Sequence, residues 1–321
     1  MSELLRVENL RTYFYTAKGI VKAVDDVSVS LGKGEVLGIA GESGCGKSTF
    51  AYSLIRLVPP PGRIVSGKIY FEGADVLSMD EEEFRRKVRW KGISMIFQGA
   101  MNALNPVFTV GDQIAEVLTL HQGMNKREAL EMAKNLLKMV GIDERRARSY
   151  PHELSGGMKQ RVVIAMALAL RPPLVIADEP TTALDVVVQA QIMNLLKKLQ
   201  RELKMSIILI THDLSLIAEI ADKVAVMYAG KIVEFGSSEH IYNNPKHPYT
   251  QGLLNSIPRL RGEIKKLTYI PGVPPDLSSP PPGCRFHPRC PYAMERCSRE
   301  EPPMVEVEPG HYVACWLYAK R

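Results

Sequence analysis

A string Gly-Glu-Ser-Gly-Cys-Gly-Lys-Ser-Thr occupies residues 41–49, directly after the apolar run Val36 to Ala40. An uninterrupted apolar run of that length is the pattern of a strand buried on both faces. The chain must therefore leave a strand, turn sharply and start a helix. Gly41, Gly44 and Gly46 let backbone amides approach an anion with no Cβ in the way. A helix beginning near Lys47 aims its unpaired amides and the positive end of its dipole at the same anion. This is a phosphate-binding loop, and it predicts a nucleoside triphosphate as ligand. Gly41, Ser43, Gly44, Cys45, Gly46, Lys47, Ser48 and Thr49 form the binding segment. Lys47 is expected at the β- and γ-phosphates and the Ser48 hydroxyl on Mg²⁺. Cys45 fills a permissive position as a small side chain rather than a redox group.

A second apolar run, Leu174 to Ala177, ends in Asp178-Glu179. A carboxylate at a strand's end suits Mg²⁺, held directly or at one remove, and Asp178 takes that role. Glu179 stands where a base polarises an attacking water. By itself such a string is a weak signal; with the loop it becomes a strong one.

Between the two lies Leu154-Ser155-Gly156-Gly157-Met158-Lys159-Gln160-Arg161, ahead of a helix-like segment from Met158 to Leu170. Ser155 suits a helix N-cap. Its hydroxyl, the glycine amides and the helix N-terminus together also make an anion site. In this order and spacing, the three segments resemble the ATP-binding subunits of ABC transporters, and the resemblance covers most of the chain.

The resemblance implies further roles. In that family the tripeptide Ser155-Gly156-Gly157 faces the γ-phosphate bound on the opposite subunit. Gln98, after the apolar stretch Ile93 to Phe97, is similar to the glutamine that contacts Mg²⁺ and water and senses the membrane partner. Ala183-Leu184-Asp185 resembles the loop that crosses the dimer interface. His212, after the strand Ser206 to Thr211, resembles the switch histidine on the γ-phosphate. Tyr13 is expected to stack on adenine, with Phe14 and Tyr15 as close competitors. Lys47, Ser48, Gln98, Asp178, Glu179 and His212 would thus serve one ATP, and Ser155 and Gly157 the ATP of the partner. ATP binding would close two subunits and hydrolysis release them, with Glu179 assisting the water and Lys47 and Mg²⁺ neutralising charge.

The 321 residues, 45% hydrophobic, suffice for one large domain plus an appendage. The expected fold is α/β: a P-loop NTPase core of the ABC-ATPase type, with a RecA-like sheet, an antiparallel β subdomain and a helical subdomain, and a C-terminal four-Cys extension. Residues 1–236 would form the nucleotide-binding domain, with the helical subdomain at about 107–165, and residues 237–321 the extension. Leu4 to Leu31 alternates like β-structure, Glu128 to Val140 and Val186 to Lys204 are patterned as helices, and Val224 to Phe235 reads as a hairpin turning at Ala229-Gly230.

Lys and Arg total 41 against 35 acids, a net charge of +6 with no long basic tail. That suits either an anionic membrane face or an ordinary solvated surface. The run Arg85, Arg86, Lys87, Arg89, Lys91 follows the acidic cluster Asp80 to Glu83 and reads as an exposed helix face, not a nucleic-acid patch. No segment approaches the roughly 18–20 apolar residues that span a bilayer. Val162 to Leu170 reads as a buried helix. The first residues lack a signal-peptide pattern. A cytoplasmic protein that meets the membrane through its partners is expected.

After Gly236 the composition shifts, with Pro271, Pro274, Pro275 and Pro280 to Pro282 marking an extended, linker-like path. His247-Pro248-Tyr249-Thr250, within Asn244 to Pro258, resembles the C-terminal region of peptide-type ABC importers. Phe97-Gln98 followed by Leu104-Asn105-Pro106-Val107 resembles the same group, although Gly99-Ala100 replaces its usual Asp-Pro. Cys284, Cys290, Cys297 and Cys315 are spaced C-x₅-C-x₆-C-x₁₇-C. Disulfides are a poor explanation in a cytosolic chain. Zinc usually takes tighter C-x₂₋₄-C pairs, whereas Cys₄ ligation of a [4Fe–4S] cluster tolerates varied spacing. The cluster is the first expectation, with zinc and free thiols as alternatives; relatives with such a tail carry a cluster.

The resemblance therefore implies an ATPase subunit driving import of di- or oligopeptides. Its partners would be a related ATP-binding subunit, two membrane-spanning permeases and an extracytoplasmic solute-binding protein. Import of nickel or another small solute is an open alternative. A soluble ABC ATPase acting on nucleic acid would need a coiled-coil insertion or tandem cassettes, and the chain has neither.

Overall fold

A computed structural model describes residues 2–99, 102–256 and 269–319. Ala100 of the Gly99-Ala100 pair and Pro258 lie outside the described residues. Two compact units divide the chain, one of residues 1–77 with 209–321 and one of residues 78–208.

In the first unit, β1 (Glu3–Thr16) and β2 (Gly19–Gly32) pair antiparallel along their whole length. The predicted alternation is present: Val27, Val29 and Leu31 are buried, Ser28 is exposed and Ser30 half-buried. β3 (Val36–Ala40) is buried throughout, and α1 (Lys47–Leu54) follows it. Phe50, Ala51 and Leu54 of α1 are buried, each large apolar side chain contributing roughly 1.5–3 kcal/mol. The hydroxyls of Thr12 and Ser53, 2.8 Å apart, join β1 to α1. β4 (Gly62–Phe71) and β5 (Ala74–Asp75) complete an antiparallel sheet of order β2-β1-β4-β5.

The second unit opens with α2 (Glu81–Lys87), capped by Asp80, whose Oδ1 accepts from Glu83 N at 2.7 Å. Its acids lie in the first turn and its bases in the last, complementing the helix dipole. Pairs Arg85–Glu82 at 2.9 Å and Lys87–Glu83 at 2.6 Å lie on an exposed face, as the sequence predicts. β6 (Ile93–Ile96) is followed by α3 (Val110–Gln122), α4 (Lys126–Met139) and α5 (Gly156–Ala167). Thr109 and Asn125 cap α3 and α4. On α4 the buried positions Ala129, Ala133, Leu136 and Leu137 recur at helical spacing. β7 (Leu174–Asp178) runs parallel to β6, from Ile93↔Leu174 to Ile96↔Ala177. α6 (Val186–Leu203) buries Ile192, Met193, Leu195, Leu196 and Leu199. The division between the units falls inside β8 (Ser206–Ile210).

The first unit resumes with α7 (Leu214–Ile220), β9 (Lys223–Tyr228) and β10 (Lys231–Ser237). β9 lies parallel to β3, from Leu37↔Lys223 to Ala40↔Val226. The predicted hairpin turns through Ala229 (φ 48) and Gly230 (φ 84), both left-handed as a tight two-residue turn demands. α8 (Ser238–Asn243) and α9 (Pro248–Asn255) follow, and β11 (Met304–Glu308) and β12 (His311–Ala314) form a second hairpin. β12 adds to the edge of β10 at Glu234↔Val313 and Phe235↔Tyr312, so β11-β12-β10-β9-β3 is a mixed sheet.

The extended path predicted at Pro271 to Pro282 is present, and it is anchored at both sides by ordered structure. Residues 271–282 carry neither helix nor strand, but the segments around them form two helices and a hairpin. Even the proline stretch is tied down, because Lys22 N donates to Leu277 O at 3.0 Å. Among the described residues no helix is long and apolar enough to cross a membrane.

Candidate functional site

The phosphate loop sits between the end of β3 and the start of α1. Its close packing explains two of its glycines. A Cβ on Gly41 (φ 153) would lie 2.2 Å from Met227 O, and one on Gly46 (φ 110) would lie 2.0 Å from Ala23 O. Ser43 and Gly44 are exposed at the tip, and Ser48 and Thr49 are half-buried in the first helical turn. Lys47 is only 5% exposed. Its Nζ donates to Gly41 O at 2.7 Å and Glu42 O at 2.9 Å and lies 3.7 Å from Cys45 Sγ. Burial pushes the Cys45 thiol up, against the pull of Lys47. A buried ammonium held by two loop carbonyls lies beside an exposed, glycine-rich loop tip, while Cys45 is a buried filler.

Tyr13 is half-buried on β1, and its Oη donates to Asp25 Oδ1 at 2.6 Å. Burial, then this bond, push the phenol above its usual range. Phe14 leans on Gly62, where a Cβ would come within 2.6 Å of its ring. Tyr15 is 37% exposed and carries the Arg63 guanidinium 4.1 Å above its ring centre.

In the second unit Asp178 is a fully buried carboxylate at the end of β7. Glu179 follows in a left-handed conformation (φ 46) that non-glycine residues rarely adopt. The fold brings Gln98 and Glu179 together, with Gln98 Nε2 donating to Glu179 Oε2 at 2.9 Å. Ser155 is an exposed N-cap of α5, accepting from Met158 N at 3.4 Å, and the helix starts two residues before the predicted Met158. Gly156 and Gly157 form its first turn, Gly157 facing Val188 of α6. Asp185 caps α6 by accepting from Val188 N at 2.9 Å. His212, in the first unit, is exposed just after β8.

Sequence reasoning missed the residues that join the tail to this loop. Arg289 places Nη1 2.6 Å from Glu42 Oε2 and Nη2 3.0 Å from Glu42 Oε1. Tyr249 Oη accepts from Glu42 N at 2.9 Å. Arg285 donates to the Asp25 carboxylate and to Ala229 O. Deeper in the tail, fully buried Glu234 accepts from Lys246 N at 2.7 Å, His247 N at 2.9 Å and His311 Nε2 at 2.8 Å. None of these partners is near in sequence, so no local pattern could have found them.

Cys284, Cys290, Cys297 and Cys315 carry free thiols and line one cavity with Phe286 and Trp316. Its volume is about 10 Å³, room for about one water. Cys297 and Cys315 are buried, Cys284 and Cys290 half-buried. Burial pushes the Cys284 thiol up to about 11, and the neighbouring cysteines add to the shift. The donor set is thus convergent and of the right chemistry for a thiophilic metal group. Among the described residues, however, no group of three or more His, Cys, Asp or Glu is disposed to hold a metal ion.

A strand–loop–helix phosphate cradle beside an antiparallel sheet, with a capped Ser-Gly-Gly helix in the second unit, defines an ATP-binding cassette. Residues 24–182 match the ABC transporter family, and residues 233–297 match the C-terminal region of oligopeptide/dipeptide transporters. The chain is 50% identical to the dipeptide transport ATP-binding protein DppD of Bacillus subtilis (strain 168), across 100% of this chain and 96% of that one. It is 53% identical to the oligopeptide transport ATP-binding protein OppD of Escherichia coli (strain K12), across 98% and 93%. A dimeric post-hydrolysis structure of the ATP-binding cassette MJ0796, bound to ADP and Pi, matches with TM-score 0.65 and 30% identity, covering 73% of this chain and 99% of that one. The chain belongs to the ABC transporter family, and its fold is the α/β cassette with mixed sheets.

Proposed function

We propose that this chain is the ATP-hydrolysing subunit of an importer of di- and oligopeptides, working at the cytoplasmic face of a membrane through permease partners. The observation that carries the reading is the coincidence of two matches: near-full-length likeness to the dipeptide and oligopeptide transport ATP-binding proteins, and a tail of the oligopeptide/dipeptide type. A related ATP-binding subunit, two permeases and an extracytoplasmic solute-binding protein complete the assembly on this reading. Residues 1–236, including a helical subdomain at about 107–165, act as the nucleotide-binding domain and residues 237–321 as its extension; the compact units divide elsewhere, at 77/78 and 208/209.

Within the reaction, the loop from Gly41 through Ser43, Gly44, Cys45 and Gly46 to Thr49 cradles the phosphates. Lys47 neutralises the transferred group, and Ser48, Gln98 and Asp178 serve Mg²⁺. Glu179 orients and deprotonates the attacking water, and the bond from Gln98 supports that role by fixing the carboxylate. His212 reads the γ-phosphate, Tyr13 stacks on the base, and Asp185 sets the loop toward the partner. Ser155, Gly156 and Gly157 complete the partner's ATP site, a role supported by a helix N-terminus whose serine cap is exposed.

Cys284, Cys290, Cys297 and Cys315 would hold a [4Fe–4S] cluster, with zinc as the alternative ion; their convergence on one cavity supports this. Such a group would supply a covalent clip for the tail and no step of hydrolysis. The function is tested by deleting the gene and following uptake of labelled dipeptides, oligopeptides and nickel. Loss of peptide uptake, restored by the native chain and not by Lys47→Ala, is expected. Intact peptide uptake with loss of nickel uptake would move the chain to the small-solute class.

A further inference from the structure

Two arginines lie between the first two cysteines in sequence; Arg289 reaches the phosphate loop and Arg285 reaches Asp25 of β2. Arg289 directly precedes Cys290. Its guanidinium meets the Glu42 carboxylate through two parallel bonds, at 2.6 and 3.0 Å, while Nε donates to Pro271 O at 2.8 Å. The Arg289 side chain is 5% exposed and that of Glu42 26%, and fork geometry holds the pair. Glu42 is a residue of the phosphate loop itself. Its N–H donates to Tyr249 Oη and its carbonyl accepts from Lys47 Nζ at 2.9 Å. Hence three of its polar groups are used: two face the tail and the third holds the lysine.

Arg285 directly follows Cys284 and binds the Asp25 carboxylate, whose other oxygen accepts from Tyr13 Oη at 2.6 Å. Tyr228, Tyr249 and Phe286 pack on one another, with ring centres 4.6 to 5.3 Å apart, and Arg289 lies 5.8 Å over the Tyr228 ring. Phe286 is the residue after Arg285, and it lines the cysteine cavity. One packed body therefore joins the cysteine cavity to Glu42 of the phosphate loop and, through Arg285, to Asp25 of β2.

We infer that Arg289 and Tyr249 are positioning residues for the phosphate loop, so that the folded state of the cysteine tail sets the affinity of the loop for ATP. The inference rests on the nucleotide-binding reading and adds a controlling element to it. Arg289 and Tyr249 touch no phosphate on this view. They fix the Glu42 backbone, which in turn fixes where Lys47 and the loop amides point. A tail detached from Glu42 leaves the loop free to take other conformations, and only the fraction in the cradling form binds.

The test is MgATP binding and steady-state ATPase on the full chain, for Arg289→Ala, Arg289→Lys, Tyr249→Phe and Glu42→Gln, singly and with Arg289→Ala combined with Glu42→Gln. Tyr249→Phe removes one hydroxyl and keeps the ring packing, so it guards against simple unfolding; thermal melts check each variant. The expected result is a rise in Kd and KM on the order of tenfold for Arg289→Ala, with a much smaller change in kcat. Arg289→Lys should recover only part, since an ammonium cannot make the fork. The double variant should be no worse than the poorer single one. Unchanged Kd in folded Arg289→Ala and Tyr249→Phe, or fully additive losses, would overturn the inference. Lys47→Ala run alongside separates the two readings: if it too binds ATP normally, the nucleotide site itself has been misplaced.

Discussion

Gln98 Nε2 donates to Glu179 Oε2 at 2.9 Å, and the Thr182 hydroxyl reaches the same oxygen at 2.9 Å. The carboxylate of a left-handed residue is thus oriented by two donors, one of them 81 positions away. For the base proposed above, these two bonds would fix the direction in which the carboxylate faces a water. Glu179→Gln is expected to keep ATP binding and nucleotide-driven dimerisation while turnover falls by roughly 10²–10⁴. Single-turnover hydrolysis of labelled ATP measures it, and undiminished turnover would remove Glu179 from the role.

Asp25 binds Arg285, Tyr13 and, at 3.6 Å, Arg11. Asp25→Asn leaves Arg285 buried without its counter-charge and is expected to cost about 3 kcal/mol, read as a lower midpoint in urea. Burial alone would raise the Asp25 carboxyl; the Tyr13 bond, Lys231 and Arg285 outweigh it and hold the value below 3.8. The unfolded chain therefore binds this proton at higher pH than the folded one. The stabilisation is complete above about 3.8 and declines as pH falls through the lower folded value. In Asp25→Asn that acid-side decline should be shallower.

Glu234 is buried and accepts two backbone N–H groups and His311 Nε2. Glu234→Gln turns one acceptor into a donor facing donors, at a cost of roughly 2–5 kcal/mol. Limited proteolysis should then cut after residue 237 before it cuts the remainder. Cleavage no faster than in the native chain would remove Glu234 as the anchor.

Purified without oxygen, the protein is expected to carry about four irons and matching sulfide per chain, with the broad visible absorption of a cluster. Cys315→Ser should abolish the colour. Stoichiometric zinc without colour would make the tail a zinc clip instead, and neither metal would leave the thiols free.

Short-range features were legible in the sequence. The glycine spacing gave the loop, the alternation of Val27 to Leu31 gave the sheet face, and Ala229-Gly230 gave the hairpin turn. Ser155 was readable as a cap because capping is a matter of four consecutive residues. The second hairpin turns at Pro309-Gly310 between alternating segments, a local signal present in the sequence that was not used. Arg289–Glu42 and Arg285–Asp25 span 247 and 260 residues, and at that distance an arginine looks like any other surface charge. Asp185 carried a role by family likeness, while its helix cap came to light only in the fold.

β12 seals the outer edge of β10, and β12 follows it only after a long stretch of chain. During synthesis the ribosome releases residues 1–237 with that edge open, and at about 5–20 residues per second the sealing strand follows about 4–15 s later. An open strand edge of this kind recruits other strands. The nascent chain thus passes through a sticky interval of its own, and any mutation that slows the docking of His311 to Ala314 lengthens the time available for aggregation without altering a single residue of the ATP site.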